Sequence, residues 1–204
     1  LGSCSCWHGD TSVIMGNCGF SLAPIGDESD ATYLGAMMAR VEGMSPAALA
    51  EGVDWNWRSF ADYLDRLDGN LGVNVGAMIG HCALRRAVMH DDSVTREASD
   101  DEIAEMKGLL AAAIQAGSLG FSTTRSYTHN DGDGVPVPSR VASEAEVVAL
   151  AGVCADHPGT TLEWVADGCM NNFRDDEIDL MARMSLAARR SINWNVLTID
   201  SARP

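Results

Sequence analysis

The side chains best suited to chemistry in this sequence are few and widely spaced. Cys18 sits in Gly16-Asn17-Cys18-Gly19, where two glycines let the backbone turn sharply and approach a ligand closely. A cysteine thiolate in such a turn is a good zinc ligand, and a small buried thiol fits the same pattern. His81 follows Gly80 and could present its imidazole to a metal or an oxyanion; a core histidine bonded to a backbone carbonyl is the ordinary alternative. His129-Asn130-Asp131-Gly132-Asp133-Gly134 crowds acceptors and glycines together. It lacks the closing glutamate of a calcium loop, and Asx-Gly clusters also simply turn. His8, His90 and His157 lie in surface or packing contexts, and the acidic runs at Asp91-Asp92, Asp100-Asp101-Glu102 and Asp175-Asp176-Glu177 mostly sit near helix starts, where carboxylates complement exposed amides.

Motifs that would announce other chemistries are absent. There is no GxSxG elbow, P-loop, GxGxxG or HExxH, and Gly120-Phe121-Ser122-Thr123-Thr124 misses the elbow by its final glycine.

These residues need elements to bring them together, and the pattern supplies five strands alternating with helices. Residues 11–15 (TSVIM) form a short buried strand closed by Gly16-Asn17. Residues 73–79, 118–122, 160–165 and 192–199 are the other strand-like runs. Helices are expected over residues 31–44, 46–51, 59–67, from a capping box at Ser99 and Glu102 to Gly117, from Ser143 to about Cys154, and over residues 175–184. The long polar loop over residues 123–140 is of the kind that usually carries function. Near-continuous apolar strands joined by helical crossovers imply parallel pairing, hence a (β/α) barrel or a doubly wound sheet. In either, loops after the strand C-termini share one face. That rule gathers Asn17 and Cys18, His81 and Cys82, residues 123–133, residues 163–167, and Asn193, Asn195 and Asp200.

Composition excludes several classes. The 204 residues are 46% hydrophobic and 21% charged, a globular rather than disordered balance. Fourteen basic against 29 acidic residues give a net charge of −15, which repels nucleic acid and anionic lipid. No apolar run reaches the roughly 18 to 20 residues of a membrane span. Six cysteines without a CxxC pair or a signal peptide imply a reducing cytoplasm. The Leu1 start and the Pro204 end are read as cuts, and no repeat or linker argues for a second domain, so residues 1–204 are expected to be one piece of a single domain.

Several segments, in order, carry a family resemblance. Trp7-His8-Gly9-Asp10-Thr11, Val13-Ile14-Met15-Gly16-Asn17-Cys18-Gly19-Phe20 and Ala23-Pro24 resemble the second barrel strand of the D-aminoacylase and N-acyl-D-amino-acid deacylase family of amidohydrolases. Val75-Gly76-Ala77-Met78-Ile79-Gly80-His81 with Leu84-Arg85, and Ala116-Gly117-Ser118-Leu119-Gly120-Phe121-Ser122-Thr123, resemble later segments of the same family. The resemblance covers nearly the whole chain.

It implies an α/β fold, an incomplete TIM-like (β/α) barrel with about five of eight βα units. It implies Cys18 as a metal ligand and Tyr127 as a contact for the substrate carboxylate. Where the family places a histidine on each of two further strands, this sequence reads Thr161-Leu162-Glu163-Trp164-Val165 and Ile192-Asn193-Trp194-Asn195-Val196. Glu163 is then the candidate oxygen ligand, and Asn193 and Asn195, with His81 and His129, line the substrate pocket. The family's His-x-His pair and catalytic aspartate are expected before Leu1 and after Pro204. The implied activity is zinc-dependent hydrolysis of a linear amide, deacylation of a small N-acyl-D-amino acid by metal-activated water, to which this piece alone is insufficient. An amidohydrolase acting on cyclic amides, or a barrel that binds a ligand without catalysis, is the alternative that the two missing histidines leave open.

Overall fold

A computed structural model describes residues 3–170 and 172–195. The last expected strand is therefore seen only in its first part, and Val196, Ile199 and Asp200 lie outside the described residues. The chain begins with a short helix, α1 (Ser3–Trp7), and β1 (Ser12–Met15), followed by α2 (Glu28–Val41), α3 (Pro46–Gly52) and α4 (Phe60–Leu67). Next come β2 (Asn74–Ala77), β3 (Ile79–Gly80), α5 (His81–Met89) and α6 (Asp100–Gln115). The remainder is β4 (Gly120–Thr124), α7 (Pro138–Val141), α8 (Glu144–Val153), β5 (Thr161–Val165), α9 (Asp175–Ala188) and β6 (Ile192–Trp194).

All strand pairs are parallel: β1 with β2, then β3, β4, β5 and β6 in sequence order. Only Met78 separates β2 from β3, and its N–H bonds Met15 O at 2.9 Å while Leu119 N–H bonds Ala77 O at 2.8 Å, so the two sheets run into one another. A doubly wound sheet reverses its strand order at a switch point. The order here never reverses, which is the arc of a barrel. The outer face of that arc carries Phe121 and Leu162, packed with Leu110 and Met106 of α6, Leu150 of α8 and Leu180 and Met184 of α9 in one core. Among the described residues no helix is long and apolar enough to cross a membrane.

The helix starts follow local chemistry. Ser99 and Glu102 form the expected box, with Glu102 accepting the Ser99 N–H at 2.7 Å and Ser99 Oγ accepting the Glu102 N–H at 3.3 Å. Ser143 caps α8 the same way at 3.2 Å, but its partner Glu146 turns its carboxylate inward instead. It meets Arg85 of α5, at 2.5 and 2.7 Å, with both side chains fully buried. Helix α5 itself is not foreseen by periodicity, because two arginines interrupt its apolar pattern. They are buried because each meets a distant carboxylate, Arg86 pairing with Asp30 of α2 at 2.9 Å.

Candidate functional site

The Cys18 turn begins where β1 ends. Gly16, Cys18 and Gly19 have φ of 84°, 58° and 78°, all left-handed. A Cβ at Gly16 would collide with the carbonyl oxygen of Met78, so only glycine fits there. Cys18 is not a glycine, and holding it at positive φ costs on the order of 1 kcal/mol, which its surroundings must offset.

Glu163 supplies much of that support. Its side chain on β5 is 1% exposed, and Oε2 accepts the Cys18 N–H at 2.6 Å. Oε1 accepts from Asn195 Nδ2, which also lies 3.9 Å from Cys18 Sγ. Residues 145 and 177 positions apart from Cys18 thus meet at one spot on the strand C-terminal face. Burial raises the Glu163 carboxyl to about 7, against a smaller opposing effect of the Cys18 N–H. Burial, and then the Glu163 charge, push the Cys18 thiol up to about 12. Both shifts come first from burial, because a soft sulfur donor and a hard oxygen donor lie in one largely buried corner. A divalent cation would favour the charged forms of both groups, and a thiolate with a carboxylate matches zinc's preferences. The pair fits the metal as two ligands of a set. Among the described residues, no third ligand-type side chain joins them within ligand distance.

Asn193 stands opposite Glu163 in the β5–β6 register and is exposed, on the strand next to the metal candidates. Tyr127 is 48% exposed, and its backbone N–H donates to Asp167 Oδ1 at 2.9 Å, tying the loop after β4 to the loop after β5. His129 packs edge-on against Phe20, just beyond the Cys18 turn, with ring centroids 5.1 Å apart. Its Nδ1 lies 2.8 Å from Thr124 Oγ1, and burial, then the Arg140 charge, lower it to about 4. It is a neutral imidazole near neutral pH.

His81 is the correction. Expected among the pocket residues, it is instead the first residue of α5 and fully buried, with Nδ1 2.9 Å from Thr123 Oγ1 and Nε2 2.9 Å from Glu146 Oε1. Burial lowers its pKa despite Glu146. For Glu146, burial works upward, but the bond from His81 and the charges of His81 and Arg85 outweigh it and hold the carboxyl low. His81 has no surface to offer a substrate. The strand passes directly into a helix at Gly80, and the helix carries the imidazole behind the sheet.

The sequence reading also passed over a group of ligand-type atoms, Asp27, Asp30 and His90. His90 Nδ1 lies 3.1 Å from Asp30 Oδ2 and 3.6 Å from Asp27 Oδ2, while Arg86 already neutralises Asp30. It is an ion-pair knot binding α2 to the end of α5, and the capping role of Asp27 before α2 was its only local signal.

Comparison with known proteins identifies the family and agrees with the parallel arc. The pattern of the Amidohydrolase family matches residues 8–203. D-aminoacylase from Alcaligenes xylosoxydans xylosoxydans is 34% identical over 153 residues, covering 74% of this chain and 27% of that protein. N-acyl-D-glutamate deacylase of the same organism is 35% identical over 150 residues, covering 72% and 26%. The chain therefore spans about a quarter of the length of these relatives. A solved D-aminoacylase, from work on its binuclear metal centre, superposes with a TM-score of 0.62 at 28% identity over 89% of this chain and 33% of that one. N-acyl-D-glutamate deacylase from Bordetella bronchiseptica, complexed with zinc and a phosphonate mimic of the tetrahedral intermediate, gives 0.56 at 27% identity over 88% and 32%. Sequence, strand order and parallel arc concur: the chain belongs to the amidohydrolase family.

Proposed function

We propose that the protein carrying this chain is a metal-dependent hydrolase of linear amides, removing the acyl group from small N-acyl-D-amino acids. The observation that carries the reading is the meeting of Cys18 and Glu163 on the strand C-terminal face of a parallel arc, within a family whose solved relatives include a zinc complex. On this reading Cys18 and Glu163 hold a zinc-like cation, together with ligands outside the described residues. When bound, such a cation supplies Lewis acidity and activated water. Asn195 orients the Glu163 carboxylate, so its geometry is set before any ligand arrives. Tyr127, Asn193 and His129 form the wall that the substrate meets, His129 as a neutral hydrogen-bonding ring rather than a cation. A cytoplasmic setting belongs to the same proposal, supported by six unpaired cysteines.

The test is metal analysis together with deacylation of a panel of N-acetyl-D- and L-amino acids. The expected result is bound zinc, D-selective turnover, and loss of both metal and activity in Cys18→Ser. A wild-type protein that binds no metal and leaves every N-acyl amino acid intact refutes the proposal.

A further inference from the structure

The turn that carries Cys18 leaves β1, passes over β3 and reaches β4 and β5. It passes where Gly80 has no side chain: a Cβ there would lie 2.5 Å from Gly19 O and 2.7 Å from Ser21 N. Beyond that gap the turn meets Ser122 of β4, which is fully buried. The Ser122 hydroxyl donates to Gly16 O and accepts the Gly19 N–H at 3.1 Å, so one oxygen grips the backbone on both sides of Asn17-Cys18. A hydroxyl is suited to this because it carries a donor and acceptor lone pairs on one atom. Ser122 is also the register neighbour of Glu163, which holds the Cys18 N–H between those two grips.

A left-handed cysteine persists only where its surroundings over-determine it. Glu163 contributes one bond to that end and Ser122 two. We propose that Ser122 is the positioning residue of this centre: its hydroxyl closes the turn so that the Cys18 sulfur stands beside the Glu163 carboxylate, set to share a cation with it. The inference rests on the reading of Cys18 as a metal ligand. Ser122 touches neither metal nor substrate and acts through the turn alone. Replacing it by alanine leaves Gly16 C=O and Gly19 N–H without their partner, at a point where the turn is already strained.

Cobalt(II) is the probe, because a cobalt–thiolate bond gives a near-ultraviolet charge-transfer band. In the protein carrying this chain, Cys18→Ser should remove the band, which tests the ligand reading. Ser122→Ala should weaken cobalt binding about 10- to 100-fold and diminish the band, the usual scale for losing a residue that orients a metal ligand. Ser118→Ala is the control, since its hydroxyl bonds Gly120 N and O at the start of the same strand. It should leave cobalt binding unchanged. In metal-free protein, mass-mapped alkylation of Cys18 should quicken several-fold in Ser122→Ala and not in Ser118→Ala. Unchanged cobalt affinity and unchanged alkylation in Ser122→Ala overturn the proposal. A wild type without the charge-transfer band refutes the ligand reading, and the alkylation rate alone then decides whether Ser122 sets the position of the sulfur.

Discussion

His129 makes the pH dependence of this fold calculable at one residue. Folded, its pKa is lowered to about 4, chiefly by burial and secondly by Arg140. Unfolded, an imidazole titrates near about 6.5. The unfolded chain therefore binds more protons across the interval between these values, so this residue's contribution to stability is intact above about pH 6.5 and is lost as the pH falls toward about 4. Linkage between about pH 7 and about pH 5 gives a loss of about 2 kcal/mol, reduced to about 1–2 kcal/mol because the ring is only partly buried. The local geometry adds to burial and the Arg140 charge: a protonated ring must donate to Thr124 Oγ1, which already accepts the Ser126 N–H at 3.1 Å. The Thr124 hydroxyl must then turn to Val165 O, at 3.5 Å the edge of hydrogen-bonding range. His129→Asn places an amide oxygen near the Nδ1 position without a titrating group. Urea unfolding of wild type and variant across this pH range isolates the effect, since other titrating groups, His81 included, cancel in the difference. The wild type should lose about 1–2 kcal/mol relative to the variant on acidification. Parallel pH profiles would refute the reasoning.

Three further substitutions probe the scaffold. Glu146→Ala leaves the fully buried Arg85 without its carboxylate and should cost about 3–5 kcal/mol by thermal or chemical unfolding; a cost below about 1 kcal/mol would show that the pair is not desolvated as described. Gly80→Ala drives a methyl against backbone atoms of Gly19 and Ser21 and should cost about 1–3 kcal/mol while speeding Cys18 alkylation, so a neutral result contradicts the close crossing of the turn. Tyr33→Phe removes the 3.0 Å bond to the buried Asp131 carboxylate, which also accepts the Asp133 and Val135 N–H groups. It should cost about 1–2 kcal/mol and raise hydrogen exchange across residues 123–140, and unchanged exchange there counts against Tyr33 as the anchor of that loop.

What could be read from sequence divides along the range of the forces involved. Strand β5 is legible because a parallel strand buried on both faces must be a short apolar run, and it fixes its own bounds within a residue. Strand β1 is bounded as closely by its apolar letters, but the burial expected of it is not found, since its residues alternate between exposed and half-buried and Ile14 is 59% exposed. The third expected strand is displaced: the apolar letters suggest residues 118–122, whereas β4 spans Gly120–Thr124. Its last three residues are hydroxyl side chains, buried because Gly16, His81 and His129 give them partners. Helix α5 is hidden for the same reason, since the partners of Arg85 and Arg86 lie 61 and 56 residues away. The proximity of the candidate residues is within reach, because strand C-termini converge whatever lies between them. That rule places Cys18, Glu163 and Asn195 in contact, as the structure has them, and fails for His81, where a helix begins without a loop.

Glu163 is where these two kinds of information meet. Both its oxygens are engaged by donors from distant places, the Cys18 N–H after β1 and the Asn195 amide after β6, so the carboxylate braces the mouth of the arc as well as offering charge to a cation. The two roles separate by substitution. Glu163→Gln keeps an amide oxygen for the Cys18 N–H, while its NH2 is accommodated if Asn195 flips, so the brace survives and the charge does not. Glu163→Ala removes both. A brace alone predicts that Gln preserves stability and cobalt affinity while Ala loses both. A ligand and brace together predict that Gln preserves stability, and relieves the cost of a buried charge in metal-free protein, yet binds cobalt at least about 10-fold more weakly than wild type. Native cobalt affinity in Glu163→Gln would leave Cys18 without its oxygen partner and remove the carboxylate from the metal set.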